Sequence, residues 1–121
     1  MSEHDLQASF FDWASRAVRE WPELDLMFAI PNGGHRNKIV AAKLKREGVK
    51  AGVADIFLPV PKGGYSGMWM ELKYRKGKLS DAQLRFLTSM VHMGYYAVAA
   101  RDWEALAEET VNYLKGEIRR G

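Results

Sequence analysis

The sequence predicts an α/β domain in which one mixed β-sheet is flanked by helices. Its 121 residues, 47% of them hydrophobic, are enough for a single packed core. Segments with apolar residues at helical spacing alternate with short apolar runs that are typical of strands, and turn and cap residues separate them. The predicted order is α-β-α-β-β-α-β-α. Because this order contains no repeat and no linker, we expect residues 1–121 to form one domain.

The first half of the chain is predicted to form a helix, a strand and a basic helix. Apolar residues recur at helical spacing from Leu6 to Trp21, and Pro22 ends this helix because proline has no N–H to donate. The alternation of residues 24–30 predicts a strand, which the turn sequence P-N-G-G terminates. A short helix rich in Lys and Arg follows over roughly residues 35–47.

The second half is predicted to form a hairpin, a crossover helix with its strand, and a last helix. The apolar run at residues 53–60 and the run at 68–74 are interpreted as neighbouring strands. A helix over residues 80–93 begins with Ser80 as N-cap and leads to a strand at 95–100, which together predict a parallel β-α-β unit. The final helix follows Asp102.

Composition and charge narrow the class of protein. The absence of cysteine excludes a disulfide scaffold and a thiolate metal site. No apolar run approaches the roughly 20 residues that span a bilayer, and the acidic N-terminus is unlike a signal peptide, so we expect a cytoplasmic protein without membrane contact. Residues 36–85 hold twelve Lys or Arg against four Asp or Glu. Such a block attracts a polyanion, usually nucleic acid, although a merely solvated basic face is the alternative.

Three charged residues lie within the two apolar runs of the hairpin. Glu71 and Lys73 are two apart and so share one side of their strand, with Asp55 on the strand before. Charged groups are costly to bury unless they are paired or bind a metal. Two carboxylates suit a hard divalent cation such as Mg²⁺, and a lysine beside them can position water or stabilise charge on a phosphate. A structural ion pair at the sheet edge is the alternative.

Other patterns are weaker. Neither Gly-Gly pair has the spacing of a phosphate-binding loop, and the three histidines have no metal-ligand spacing, so we expect no organic cofactor. Glu3 and Gln7 share a core-facing side of the first helix near its start. Polar groups there are either a cap exposed to solvent or part of a site.

The motifs, in their order, resemble the VRR-NUC domain, the virus-type replication-repair nuclease branch of the PD-(D/E)XK superfamily. The similarity rests on G-V-A-D-I-F-L, M-E-L-K, K-G-K-L-S-x-x-Q and G-Y-Y-A-V, with N-G-G-x-R and Glu-x-x-x-Gln upstream. Ala54 stands where the superfamily name has proline, a residue that the chemistry does not require. The resemblance covers nearly the whole chain and implies a restriction-endonuclease-like core.

The resemblance also implies the residues of an active site. The catalytic side chains would be Asp55, Glu71, Lys73, Gln83, Glu3 and Gln7. The metal, Mg²⁺ or Mn²⁺, would be bound by the carboxylates of Asp55 and Glu71 and the main-chain carbonyl of Leu72. Contacts to nucleic acid, chiefly its backbone phosphates, would come from Asn32, Arg36, Lys38, Lys43, Arg75, Lys76 and Lys78.

The implied function is that of a metal-dependent DNA endonuclease. Stand-alone members of the group look like phage or prophage proteins of the bacterial cytoplasm. They resemble Holliday junction resolvases in being small, basic and dimeric, so we expect a homodimer that acts on branched DNA. The alternatives are a non-catalytic nucleic-acid-binding or recruitment module with a degenerate nuclease site, and a structural α/β protein whose basic face keeps it soluble.

Overall fold

A computed structural model describes residues 2–31 and 37–121 and contains a four-stranded mixed sheet. The strands lie in the order β1 to β4 across the sheet. The first two pairs are antiparallel and β3 and β4 are parallel. Their bounds are β1 Phe28–Ala29, β2 Ile56–Leu58, β3 Met68–Leu72 and β4 Tyr96–Ala100. The parallel pair confirms the predicted β-α-β unit.

Within the described residues, four α-helices flank the sheet, and a side chain caps the start of each one. The bounds are α1 Glu3–Ala17, α2 Lys38–Arg46, α3 Asp81–His92 and α4 Trp103–Leu114. The N-caps are Ser2, Asn37, Ser80 and Asp102. The element order is therefore the predicted one, with a 3-10 helix added before β1, and the fold class is α/β as predicted.

Alternate residues of β3 face two different helical layers. The Thr110 hydroxyl of α4 lies 3.8 Å from the Met70 sulfur, whereas Trp69 packs against Phe86 of α3 with ring centroids 4.9 Å apart. Since side chains alternate along a strand, α4 and α3 cover opposite faces of the sheet. α1 packs beside α4, on the Met70 face.

The hydrophobic core lies between the sheet and the α1–α4 layer. Its fully buried side chains come from both β2 and β3, and from both helices. They include Ile56, Leu58, Met68, Met70, Leu72, Phe10, Leu106 and Tyr113. The Tyr113 hydroxyl donates a 2.6 Å hydrogen bond to the Val60 carbonyl, which satisfies its buried polar group. This core holds β2 and β3 together beside two carboxylates, Asp55 directly before β2 and Glu71 on β3.

The strand predicted at residues 24–30 is largely wrong. Residues Pro22–Leu26 form a 3-10 helix, and only Phe28–Ala29 form a strand. Proline at the first turn favours a helical start, and the amides of Leu24 and Met27 bond to carbonyls three residues earlier. Leu26 and Phe28 are half exposed, so the alternating apolar side chains of this segment do not all face the core.

Two further predictions of element length need adjustment. β2 covers only residues 56–58 of the predicted run 53–60, since the Asp55 amide bonds to a side chain and Pro59 has no amide hydrogen. α2 begins at Lys38, and all its residues are exposed except the half-buried Leu44. No helix within residues 2–31 and 37–121 is long and apolar enough to span a bilayer.

Candidate active site

Asp55 and Glu71 lie side by side where β2 begins and β3 ends. The Asp55 amide donates a 3.0 Å hydrogen bond to Glu71 Oε2. The Leu72 amide donates a longer hydrogen bond, of 3.4 Å, to Asp55 Oδ2. The main chain of each strand thus binds the carboxylate of the other. Glu71 is only 1% exposed, whereas Asp55 is half-buried. The predicted convergence of these two residues is what the structure shows.

Gln83 extends this pair from the start of α3. It forms a capping box with Ser80, in which Gln83 Oε1 accepts from the Ser80 amide at 2.8 Å and the Gln83 amide donates to Ser80 Oγ at 3.1 Å. This arrangement directs Gln83 Nε2 to Glu71 Oε1, which is 2.8 Å away. One side chain therefore caps the helix and orients a carboxylate.

Burial strongly perturbs the two carboxyl groups. It raises the pKa of Glu71 to about 8, and the negative charge of Asp55 adds to that rise. The pKa of Asp55 is also raised by burial, although hydrogen bonds with Glu71 and Leu72 and the charge of Lys73 offset part of the effect. One nearby lysine does not balance two buried carboxylates, and so the site favours either a shared proton or an added cation.

The Leu72 carbonyl points to the same side as Asp55. The Lys73 amide donates to the Ala100 carbonyl on β4 at 3.0 Å. Since the carbonyl and the following amide of a trans peptide point in opposite directions, the Leu72 carbonyl faces β2. Within the described residues no cluster of three His, Cys, Asp or Glu suits a metal ion. A cation between the two carboxylates would therefore need a main-chain oxygen as a third protein ligand.

Lys73 follows β3 directly and is half-buried. It lies on the same side of the strand as Glu71, because the two residues are two apart. Its charge lowers the pKa of both carboxyl groups, although less than burial raises them. The structure thus brings Asp55, Glu71, Lys73 and Gln83 into one cluster.

Glu3 and Gln7 do not join this cluster through a direct contact. Glu3 is exposed and Gln7 half-buried, and neither side chain forms a hydrogen bond or ion pair within the described residues. The physical reason is that α1 packs on the Met70 face of β3, whereas Glu71 lies on the other face. Their roles stay predictions that rest on the resemblance.

The residues predicted to bind nucleic acid fall in two places in the part of the chain that the structure describes. Lys38 and Lys43 are exposed on α2, while Asn32 and Arg36 lie outside the described residues. The others occupy the loop after β3, which follows the carboxylates directly: Arg75, Lys76 and Lys78. All three are exposed, so they are free to meet a phosphate chain beside the carboxylates.

Arg101 is a residue of this region that sequence reasoning missed. From the end of β4 its guanidinium donates hydrogen bonds to the carbonyls of Arg75 and of Gly77, the latter at 2.9 Å. Arg75 adopts a left-handed backbone conformation with φ of 53°, and its guanidinium lies 4.9 Å from the Tyr74 ring centre. The parallel pairing of β3 and β4 was the available signal, since parallel strands end at the same edge of a sheet.

Comparisons with known proteins give a matching domain family and a structure of similar fold. The profile of the VRR-NUC domain matches residues 4–103, a range that contains Asp55, Glu71, Lys73 and Gln83. A solved structure described as a VRR_NUC domain protein has a TM-score of 0.79 and 25% sequence identity. That similarity covers 95% of this chain and 89% of the other. No curated protein matches the chain significantly.

Proposed function

The chain belongs to the VRR-NUC domain family, and from that premise we propose that it is a Mg²⁺- or Mn²⁺-dependent endonuclease that hydrolyses DNA phosphodiester bonds. Membership makes it a nuclease-family domain. The observation that supports activity is the pair of half-buried Asp55 and buried Glu71, held by main-chain amides and accompanied by Lys73. Buried carboxylates with raised pKa values are frequent at catalytic sites.

The donor atoms of the site fit a hard divalent cation. Two carboxylates and the carbonyl of Leu72 offer only oxygen, which Mg²⁺ and Mn²⁺ prefer. Burial and the negative charge of Asp55 raise the pKa of Glu71, and a bound cation would offset both effects. When bound, the ion lowers the pKa of a coordinated water and neutralises charge on the phosphate.

Each neighbouring residue then has a definable task. Gln83 holds Glu71 Oε1, so the carboxylate keeps one orientation as substrate arrives. The Lys73 ammonium stabilises negative charge on the phosphate or orients the attacking water. Lys76 and Lys78, in the loop that follows, neutralise backbone phosphates without reading sequence. Together these groups favour positioning and electrostatic stabilisation over covalent catalysis.

We extend the proposal to branched DNA, a homodimer and the cytoplasm of a bacterial host, as for a phage or prophage protein. Basic residues on α2 and in the loop after β3 give two separate segments for phosphate contacts. A two-fold dimer would place two sites against two strands of a symmetric junction. The exposed apolar residues of α2, Ile39 and Val40, leave room for a second chain on this helix. Light scattering during gel filtration tests the dimer.

The deciding experiment is cleavage of a labelled four-way junction with Mg²⁺ or Mn²⁺. Lys73→Ala should slow cleavage by about 10²- to 10⁴-fold. Lys62→Ala is the matched control, because Lys62 forms a surface ion pair with Glu23. Asp55→Ala and Glu71→Ala should abolish metal binding in calorimetry. Equal behaviour of wild type and Lys73→Ala on junction, flap, nicked and linear DNA would contradict catalysis, and salt-dependent binding alone would favour a recruitment module.

A further inference from the structure

An open pocket of about 390 Å³ lies between residues 50–53 and one side of α3. Its apolar walls are formed by Val53, Ala82 and Phe86. Lys50 and Arg85 also line the pocket, and both side chains are exposed. Ala51 and Ser89 complete the lining. The pocket thus combines an apolar surface with two cations and a hydrogen-bonding group.

The pocket adjoins the carboxylate pair through both of its walls. Val53 precedes Asp55 by two residues, so their Cα atoms are at most about 7 Å apart. On the other wall, Ala82 directly precedes Gln83, whose side chain binds Glu71. Neighbouring phosphates along an extended nucleic-acid strand are separated by a comparable distance. A strand cleaved at the carboxylates can therefore place an adjacent nucleotide at this pocket.

Phe86 presents a fixed aromatic surface in the pocket. Its ring meets Trp69 edge to face, with centroids 4.9 Å apart and an interplanar angle of 87°. Trp69 in turn packs on the ring of Phe57, with ring centroids 4.2 Å apart. Phe86 remains half-buried, so part of its surface is accessible to a ligand. A ring held in this way stacks on a base with little loss of side-chain freedom.

The charges at the pocket are available to an anion. Neither Lys50 nor Arg85 forms an ion pair with any residue in the part of the chain that the structure describes. Two cations beside an apolar wall and an aromatic ring are complementary to a nucleotide, which joins a flat base to an anionic phosphate. A protein segment with acidic and apolar residues could also match these groups. The position of the pocket beside the carboxylate site, however, favours a nucleotide of the substrate.

We infer that this pocket binds one unpaired nucleotide of the DNA substrate, beside the phosphate that is cleaved. The base packs against Phe86 and Val53, and its phosphate meets Lys50 or Arg85. This inference rests on the proposed nuclease function and refines its substrate class. A base within an intact duplex is stacked between its neighbours and cannot enter, so cleavage favours positions where a nucleotide is unpaired.

The test compares Ser89→Trp, which fills the pocket, with Thr88→Trp, which places the same side chain on the neighbouring exposed position of α3. Binding of a short oligothymidylate and of a blunt duplex is measured in chelator, so no cleavage occurs. Cleavage is measured on one labelled strand, either fully paired or with the nucleotide beside the cut unpaired. Thermal unfolding checks that both variants are folded.

Ser89→Trp should weaken oligothymidylate binding about ten-fold, the effect of losing one stacked base, and leave duplex binding unchanged. It should also remove the preference for the unpaired cleavage substrate, while Thr88→Trp behaves as wild type. The inference would be wrong if both variants lost the same binding affinity for oligothymidylate. It would also be wrong if Ser89→Trp weakened the binding of duplex and of oligothymidylate equally. If wild type cleaves none of the substrates but Ser89→Trp still weakens oligothymidylate binding, the nuclease proposal is wrong and the proposal of a nucleotide-binding pocket is supported.

Discussion

The main-chain amide of Asp55 donates a 3.0 Å hydrogen bond to Oε2 of Glu71, so that one candidate ligand positions the other. The reciprocal interaction, from the Leu72 amide to Asp55 Oδ2, has a distance of 3.4 Å. The sheet therefore orients the carboxylates through its own backbone. Truncating either side chain would remove a proposed metal ligand and leave a partly buried amide without its acceptor, so isosteric variants are the cleaner tests.

Glu71→Gln keeps the shape of the side chain and removes its charge. We expect cleavage to fall by about 10²-fold or more, since loss of a metal-binding carboxylate weakens charge stabilisation worth several kcal/mol. Single-turnover cleavage and calorimetric titration with Mn²⁺ would measure the effect. Glu23→Gln is the control, because Glu23 pairs with Lys62 at the surface. Retention of metal binding and activity in Glu71→Gln would show that Glu71 is not a ligand.

The stability of the metal-free protein should depend on the protonation of Glu71. Its pKa is about 8 in the folded protein against an ordinary value of 4.5. Between these pH values the folded state retains a proton that the unfolded state has released. The free energy of unfolding should therefore fall as pH rises from about 5 to about 8, by at most about 1.4 kcal/mol per pH unit for one proton.

Urea unfolding in chelator at several pH values in this range would measure that slope. The raised pKa of Asp55 acts in the same direction. Glu71→Gln supplies the comparison, because its side chain does not titrate and its profile should be flatter. A wild-type stability that rises with pH over this interval would refute the assignment.

Divalent metal should reverse this loss of stability. Mg²⁺ or Mn²⁺ requires deprotonated ligands, so its binding releases protons and strengthens with pH. At a free concentration about 100 times Kd, the metal should stabilise the fold by about 2.7 kcal/mol. Thermal unfolding with and without metal at pH 6 and pH 8 would show the larger shift at pH 8. An equal shift in Asp55→Asn would mean that the ion binds elsewhere.

Much of this site could be predicted from the chain because its residues are close to strand and cap signals. Glu71 and Asp55 follow from two short apolar runs in a hairpin, where alternation determines the face of each side chain. Gln83 was identifiable as a capping-box residue. Its hydrogen bond to Glu71, however, depends on how α3 packs on the sheet, which no local pattern specifies.

Other features depended on tertiary structure or on competing local signals. The alternation from Leu24 to Ile30 predicted a strand, but Pro22 favours a 3-10 turn and the segment lies at the edge of the sheet. Arg101 is one of 18 Lys and Arg residues and carries no motif. Its role emerges only when β4 pairs with β3 and brings the two strand ends together.

Gly52→Ala should disturb the candidate active site indirectly, by displacing the start of α3. Gly52 has a φ of +88°, and a Cβ there would lie 2.5 Å from the carbonyl carbon and oxygen of Ala82. Relief of that clash moves the start of α3 and with it Gln83. We expect a loss of stability of roughly 1–3 kcal/mol and reduced cleavage.

Gly48→Ala is the control for Gly52→Ala, because it introduces backbone strain at a positive φ without a steric clash. Gly48 has a similar φ of +99°, but nothing lies within 4 Å of the added carbon. This variant should lose only about 1 kcal/mol and retain activity. Chemical denaturation and cleavage of both variants would be compared. Equal effects on activity would show that the contact with Ala82 does not position Gln83.

Arg101→Gln should loosen the basic loop and leave the carboxylates in place. Nη1 of Arg101 donates to the carbonyls of both Arg75 and Gly77, and the amide nitrogen of glutamine ends two bonds short of that position. Release of the loop, in which Arg75 holds an unfavourable left-handed conformation, should raise KM several-fold with little change in kcat. Trypsin should also cut the variant faster after Arg75 and Lys76, because a mobile loop enters a protease more readily.

Arg19→Gln is the matched control for Arg101→Gln, since it removes the same charge from an exposed position after α1. If KM rises equally in both variants, the effect is one of net charge and not of loop position. If kcat falls in Arg101→Gln while KM and tryptic cleavage are unchanged, Arg101 acts on the reacting groups themselves. A rise in KM together with faster tryptic cleavage, in Arg101→Gln alone, would identify Arg101 as the residue that positions the basic loop after β3.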